Sequence, residues 1–295
     1  MSTMSESLVK VNTKDGFVFH GLLVKPKVFT DNIIIHIHGS AGNFFQSSFY
    51  PFLFKAAVDS GYSFLSTNNR GSGVYNIEAG TKPTGGAVEI FEECLIDLDS
   101  WIKFALEQRF KNVILEGHSF GTNKIQYYLL NGKYKKKVKA IILLGFSDPY
   151  GGQIEYLDRN NLKNEVVLKE ARQLVSEGKP LQLLSNPLIN WGEVAQTAQS
   201  YISFMSKDSN LSKTLPLRDR KRLDNFRKIQ VPILGIVGDH NECTVINPKE
   251  AVNLLNKENK NARCYMIKGS DHSYTGKEQE LIRLVTTFIK GLKSK

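Results

Sequence analysis

The sequence predicts an α/β fold: a mostly parallel sheet of eight strands, covered by helices on both faces and interrupted by an inserted helical segment. Three observations carry this expectation. Runs such as Asn32-Ile33-Ile34-Ile35-His36-Ile37 and Ala140-Ile141-Ile142-Leu143-Leu144 are continuously apolar and β-branched, the character of strands buried on both faces. Segments of helical periodicity alternate with these runs, as crossover connections between parallel strands require. Finally, 295 residues with 41% hydrophobic and 23% charged side chains suit one large globular unit and exclude disorder, collagen-like repeats and a disulfide scaffold.

In chain order, the alternating residues 8–13 and 17–24 flank Asp15-Gly16 and read as a hairpin. The strand at 33–38 stops at Gly39-Ser40-Ala41-Gly42, and a helix follows at 49–59, closed by Ser60-Gly61. A strand at 62–67 leads into Asn69-Arg70-Gly71-Ser72-Gly73 and a glycine-rich loop reaching Gly86. Residues 88–109 form one amphipathic stripe through Phe91, Leu95, Leu98, Trp101, Ile102 and Leu106. The spacing next predicts a strand at 112–116, a helix at 119–130 and a strand at 138–146. Between 147 and 228 the alternation fails: helical patterns at 164–177 and 194–205 occur without a strand, and the segment is too long for an ordinary loop. The expected division is a core of 1–146 with 229–295, and a helical cap of 147–228. Strands at 231–237 and 262–267 and helices at 248–257 and 276–292 complete the pattern.

The chemistry centres on Gly117-His118-Ser119-Phe120-Gly121. It joins a strand directly to a helix, the setting in which a strained turn exposes a serine hydroxyl at the top of a sheet. A Cβ at either glycine would obstruct neighbouring backbone. The helix start also offers the Phe120 N–H and a favourable dipole to a developing oxyanion. The plainer alternative for Ser119 is an ordinary helix N-cap.

With these residues in place, the chain resembles the α/β-hydrolase family over nearly its whole length. His38-Gly39-Ser40 is similar to that family's oxyanion loop, which makes the Ser40 N–H the second donor. Asn69-Arg70-Gly71-Ser72-Gly73 resembles its Arg-Gly-x-Gly turn, and Gly269-Ser270-Asp271-His272-Ser273 the segment carrying its catalytic histidine. The resemblance implies Ser119 as nucleophile and His272 as general base, a role suited to an imidazole titrating near neutral pH. The third member departs from the family. The Gly-x-x-Asp pattern reads Gly238-Asp239-His240-Asn241, which puts an amide at the acid position. Glu242, Asp239 and Asp148 are the carboxylates that could replace it; Glu242 is favoured, with Asn241 orienting the loop. The Arg70-Gly71 turn, Glu89-x-x-Glu92-Glu93 and the glycine-rich stretch are similar to a branch that includes siderophore esterases.

The resulting expectation is a serine hydrolase acting on an ester or thioester of a small to medium acyl substrate. Acyl transfer in secondary metabolism is one alternative. The other is a catalytically weak, hydrolase-like ligand-binding protein, motivated by Asn241. No cofactor is expected. His36 and His38 share a strand face, but without a third ligand in the sequence no metal is expected either. His118 is expected to pack rather than react, and Tyr156, Trp191, Tyr201 and Phe204 to pack the cap or line its pocket. The net charge of +10 reads as a solvated basic surface, which argues against nucleic-acid binding, and an expected excess of basic residues in 147–228 would favour an anionic substrate. Cys94, Cys243 and Cys264 form no CxxC pair, no apolar run could span a bilayer, and the N-terminus lacks a secretory signal; a cytoplasmic location with reduced thiols is expected.

Overall fold

The structure, a computed structural model, describes residues 4–77, 81–186, 192, 194–240 and 242–293. Its strands are β1 (Met4–Asn12), β2 (Val18–Pro26), β3 (Asn32–Ile37), β4 (Ser63–Thr67), β5 (Asn112–His118), β6 (Val138–Leu144), β7 (Ile233–Gly238) and β8 (Ala262–Ile267). They form one eight-stranded sheet in the order β1-β2-β4-β3-β5-β6-β7-β8. Only the β1–β2 and β2–β4 pairings are antiparallel; the remaining pairings are parallel.

Strand periodicity explains the layering. Ile33, Ile35 and Ile37 of β3, with Val113 and Leu115 of β5, enter one core cluster; Ile34 and Ile114, on the opposite face, enter another. Helices α2 (Cys94–Glu107), α3 (Phe120–Asn131) and α9 (Pro248–Glu258) contribute to the first cluster. Helices α1 (Tyr50–Asp59) and α10 (Glu278–Lys293) contribute to the second. Both faces are thereby shielded, as a parallel sheet demands.

Between β6 and β7 lie α4 (Pro149–Arg159), α5 (Asn164–Ser176), α6 (Ala198–Met205), α7 (Asn210–Thr214) and α8 (Asp224–Arg227). Residues of α5 and α6 form a third apolar cluster with Phe91 and with Phe120, the first residue of α3. The two ends of the segment are tied by Asp148 and Arg218, 2.7 Å apart. Asp148 also caps α4 by accepting from the Gly151 N–H at 3.0 Å. The Asp148-Pro149 pair was a legible signal for α4, which periodicity alone misses.

Two helix starts lie four or more residues later than the sequence expectation. Helix α2 begins at Cys94, after a single 3₁₀ turn at Phe91–Glu93, instead of at residue 88. The reason is electrostatic. Glu89 is buried and meets Lys124 at 2.6 Å, and Ser203 Oγ accepts the Phe91 N–H at 3.1 Å, so tertiary partners outcompete another helical turn. Helix α6 begins at Ala198 because Thr197 is extended, bridges Leu183 and donates its N–H to Ala87 O at 2.8 Å.

Candidate active site

Ser119 sits between β5 and α3 at φ 55° and ψ −124°, a conformation that costs a non-glycine residue about 1–3 kcal/mol. Its N–H is held by Leu144 O at 2.8 Å. The flanking glycines make the turn possible. A Cβ on Gly117 would lie 2.5 Å from the Gly121 carbonyl, and one on Gly121 would lie 2.1 Å from Ile37 O. The hydroxyl is thus presented at the carboxyl end of the sheet, where ligands bind in such folds.

His272 Nδ1 lies 2.9 Å from Glu242 Oε2. The Glu242 side chain is fully buried, while that of His272 is partly exposed. A carboxylate can only accept, so Nδ1 carries the proton and Nε2 keeps a lone pair that can accept one. Among the described residues no hydrogen bond joins His272 to Ser119, but both line one cavity of about 650 Å³. Gly145 gives the imidazole its space: its φ is +56°, and a Cβ there would stand 2.8 Å from His272 Cε1.

The histidine is also held from behind. His118 Nε2–H donates to the His272 carbonyl at 2.9 Å, and the two rings lie 4.8 Å apart. Burial, with the His272 ring beside it, holds the His118 imidazole down at about 3, so it is a neutral donor at physiological pH. Tyr274 accepts the Gly145 N–H at 2.7 Å and donates to Ile236 O at 3.0 Å. Sequence reasoning assigned His118 to packing and passed over Gly145 and Tyr274. Their positions beside His118-Ser119 and His272 were the available signal.

The expected oxyanion donors converge on the same place. Phe120 N–H opens α3, Ser40 follows Gly39, and both residues line the cavity. Neither N–H has a protein acceptor among the described residues. Gly39 is pressed against the serine: a Cβ on it would lie 2.9 Å from Ser119 Cβ.

The other acid candidates are engaged elsewhere. Asp148 accepts from Arg218 and from the Gly151 and Arg218 N–H groups. Asp239 Oδ1 accepts the Gly269 N–H at 2.7 Å and the Ser270 N–H at 3.3 Å, which fixes the start of the His272 loop. Asn241 lies outside the described residues, as does Trp191. Tyr201 and Phe204 are buried in packing, with Tyr201 OH donating to Asn164 Oδ1 at 2.8 Å and the Phe204 ring 5.2 Å from Phe120. Neither they nor Tyr156 line the cavity described above.

No group of His, Cys, Asp and Glu suited to a metal occurs among the described residues. His36 is held between Glu116 and Tyr50, each at 2.9 Å, and His38 between Gly39 O and Ser72 Oγ. Cys94 and Cys264 are buried, Cys243 is exposed at the cavity wall, and none is in a disulfide. Burial drives the Cys264 thiol up to about 12, with Cys94 also well raised, so both are inert. No helix among the described residues is long and apolar enough to cross a membrane.

The strand order and the serine turn between β5 and α3 define an α/β-hydrolase fold. The chain belongs to a family described as "Protein of unknown function (DUF1749)", whose model matches residues 91–290. No curated protein matches it significantly. Among solved structures it is similar to the alpha/beta hydrolase GrgF of Penicillium sp. sh18 (TM-score 0.70, 16% identity, 99% of this chain and 100% of that one). It is also similar to Est1E of Butyrivibrio proteoclasticus with ferulic acid bound (TM-score 0.64, 19% identity, 97% and 100%). A third relative in structure is a thermostable carboxyl esterase of Bacillus coagulans (TM-score 0.64, 14% identity, 98% and 99%).

Proposed function

We propose that the chain is a serine hydrolase that cleaves a carboxylic ester or thioester through an acyl-enzyme on Ser119. The observation that carries this reading is the meeting, in one cavity, of a strained serine and an imidazole whose other nitrogen is bound to a buried carboxylate. The carboxyl esterase name of the Bacillus coagulans structural neighbour agrees with it. His272 Nε2 takes the Ser119 proton as Oγ attacks the carbonyl carbon, and Glu242 stabilises the resulting imidazolium. The Phe120 and Ser40 N–H groups receive the oxyanion. His272 then protonates the leaving group, and water attacks the acyl-enzyme by the same route in reverse.

The Glu242–His272 pair weighs against a catalytically weak binding protein, since it supplies the charge that an amide at Asn241 lacks. Hydroxyl and amide side chains such as Ser40, Asn43, Gln46 and Ser48 dominate the cavity lining, and among the described residues no Lys or Arg is part of it. Residues 147–228 carry 13 Lys+Arg against 10 Asp+Glu, so only three of the ten excess charges lie there. A small, uncharged, polar substrate therefore fits better than an anionic one. We read 147–228 as a cap on a core of 1–146 and 229–295, supported by the contact of Phe204 with Phe120.

The test is a fluorophosphonate probe with wild type and Ser119→Ala, followed by a panel of p-nitrophenyl esters and acyl thioesters. Labelling and turnover that vanish in Ser119→Ala are expected. An alcohol acceptor added to the same assay separates acyl transfer from hydrolysis. Equal labelling of both proteins, or of neither, would overturn the reading.

A further inference from the structure

The Asn69-Arg70-Gly71-Ser72-Gly73 turn has no part in the mechanism above, yet it reaches the oxyanion loop through one buried side chain. His38 Nδ1 lies 2.7 Å from Gly39 O, and its Nε2 lies 2.6 Å from Ser72 Oγ. A carbonyl oxygen can only accept, so the proton is on Nδ1, and Nε2 must accept from the Ser72 hydroxyl. Ser72 Oγ in turn accepts the Asn69 N–H at 3.0 Å. Every donor and acceptor in this relay is matched, which fixes its direction.

The relay ends on a peptide group that matters. The Gly39 carbonyl and the Ser40 N–H belong to one trans peptide and point to opposite sides of it. Drawing the carbonyl onto the His38 ring turns the Ser40 N–H away from that ring. Gly39 lies against Ser119, and Ser40 lines the cavity. We propose that His38 and Ser72 are positioning residues for the oxyanion hole, holding the Gly39–Ser40 peptide with its N–H toward the substrate carbonyl oxygen. The proposal rests on the reading of Ser119 as nucleophile.

The anchor of the relay is rigid. Arg70 is buried and bonded to Asp97, Glu93 and Asp15, and its N–H donates to Asp97 Oδ2 at 2.9 Å. Asn69 Oδ1 accepts from the Gly71 N–H at 3.0 Å and from Lys124 Nζ at 3.2 Å. Burial, together with the Lys124 ammonium, holds the His38 imidazole well below its ordinary range, so the ring stays neutral and keeps a single N–H for the Gly39 carbonyl.

The experiment compares His38→Leu, His38→Asn, Ser72→Ala and Ser72→Thr with wild type on a p-nitrophenyl ester, and measures binding of a trifluoromethyl ketone whose Ser119 adduct carries an oxyanion. His38→Leu should lose about 10²-fold in kcat, the size of one misplaced oxyanion donor, with KM changed less than about threefold. Trifluoromethyl ketone affinity should fall by a similar factor. An Asn amide N–H can take the place of Nδ1–H, so His38→Asn should recover most of the loss. Ser72→Ala should lose about tenfold, consistent with one lost hydrogen bond, and Ser72→Thr should behave as wild type. If His38→Leu does not fold, the other three variants carry the same comparison. Folded His38→Leu and Ser72→Ala proteins with wild-type kcat and wild-type ketone affinity would overturn the proposal while leaving the nucleophile reading intact. Failure of wild type to form a Ser119 adduct at all would remove the nucleophile reading, and the proposal with it.

Discussion

Substituting Glu242 by Gln isolates the charge behind His272 with little change of shape. The Oε2–Nδ1 separation is 2.9 Å and the Glu242 side chain is fully buried. At an effective dielectric near 20, a unit charge at that distance stabilises an imidazolium by about 6 kcal/mol. Each 1.36 kcal/mol is tenfold in rate, so kcat should fall about 10⁴-fold. The same acid-to-amide exchange in a well-studied serine triad costs a comparable factor. The assay is steady-state hydrolysis of a p-nitrophenyl ester, with Ser119→Ala setting the background. Glu242→Asp should recover little, because the carboxylate would end one methylene short of Nδ1. A Glu242→Gln enzyme within tenfold of wild type would refute the reasoning, as would a large gain in activity from Asn241→Asp, since either result would mean that Glu242 is not the working acid.

Other consequences follow from the same geometry. Gly145→Ala must place a Cβ 2.8 Å from His272 Cε1 at a φ of +56°; kcat should fall at least about 10²-fold and Tm should drop, measured by ester turnover and thermal melting. Lys124→Met leaves Glu89 buried and uncompensated, which should cost about 3–5 kcal/mol in urea unfolding, with Lys124→Met/Glu89→Gln recovering part of it. Stability should fall with acidification. His118 and His38 titrate lower in the folded chain than when unfolded, so stability is fully present above their unfolded values near 6.5 and is lost as pH falls below them. From pH 7 to pH 5 the His118 ring should cost about 2 kcal/mol, and His118→Gln should remove that share from the pH dependence of unfolding.

The central strands were legible because they are buried on both faces and so are written as nearly uninterrupted apolar runs, as in β3 and β6; β8, which alternates buried and exposed residues over 262–267, was legible from that alternation. The placement of Ser119 and His272 at one cavity was legible for a related reason: the turns that carry them tolerate few residues. The starts of α2 and α6 were not, because partners far along the chain decide them. Ser203 is 112 residues from the Phe91 N–H that it accepts, and no local pattern encodes such a bond. His118 packs as expected, against Phe49 and Tyr274, but its hydrogen bond to the His272 carbonyl, 154 residues away, was not legible for the same reason.

The acid shows where sequence spacing stops being informative. Four side chains were open to that role because spacing constrains only how far a residue is from its neighbours, not what else occupies it. Tertiary contacts remove two of them. Asp148 is neutralised by Arg218, and Asp239 is bonded to the backbone of the loop it supports. Glu242 lies one residue beyond the usual position and has one methylene more, and the longer reach offsets the later start. Gly238 makes room for it: a Cβ there would stand 2.7 Å from Glu242 Oε1, so a larger residue would push the carboxylate out of line. The departure from the family pattern and the glycine that opens that pattern are thus two parts of one arrangement. A Gly238→Ala chain should accordingly lose activity in the same sense as Glu242→Gln, while Asp148→Asn should chiefly loosen residues 147–228, which separates the acid on His272 from the acids that only hold the fold.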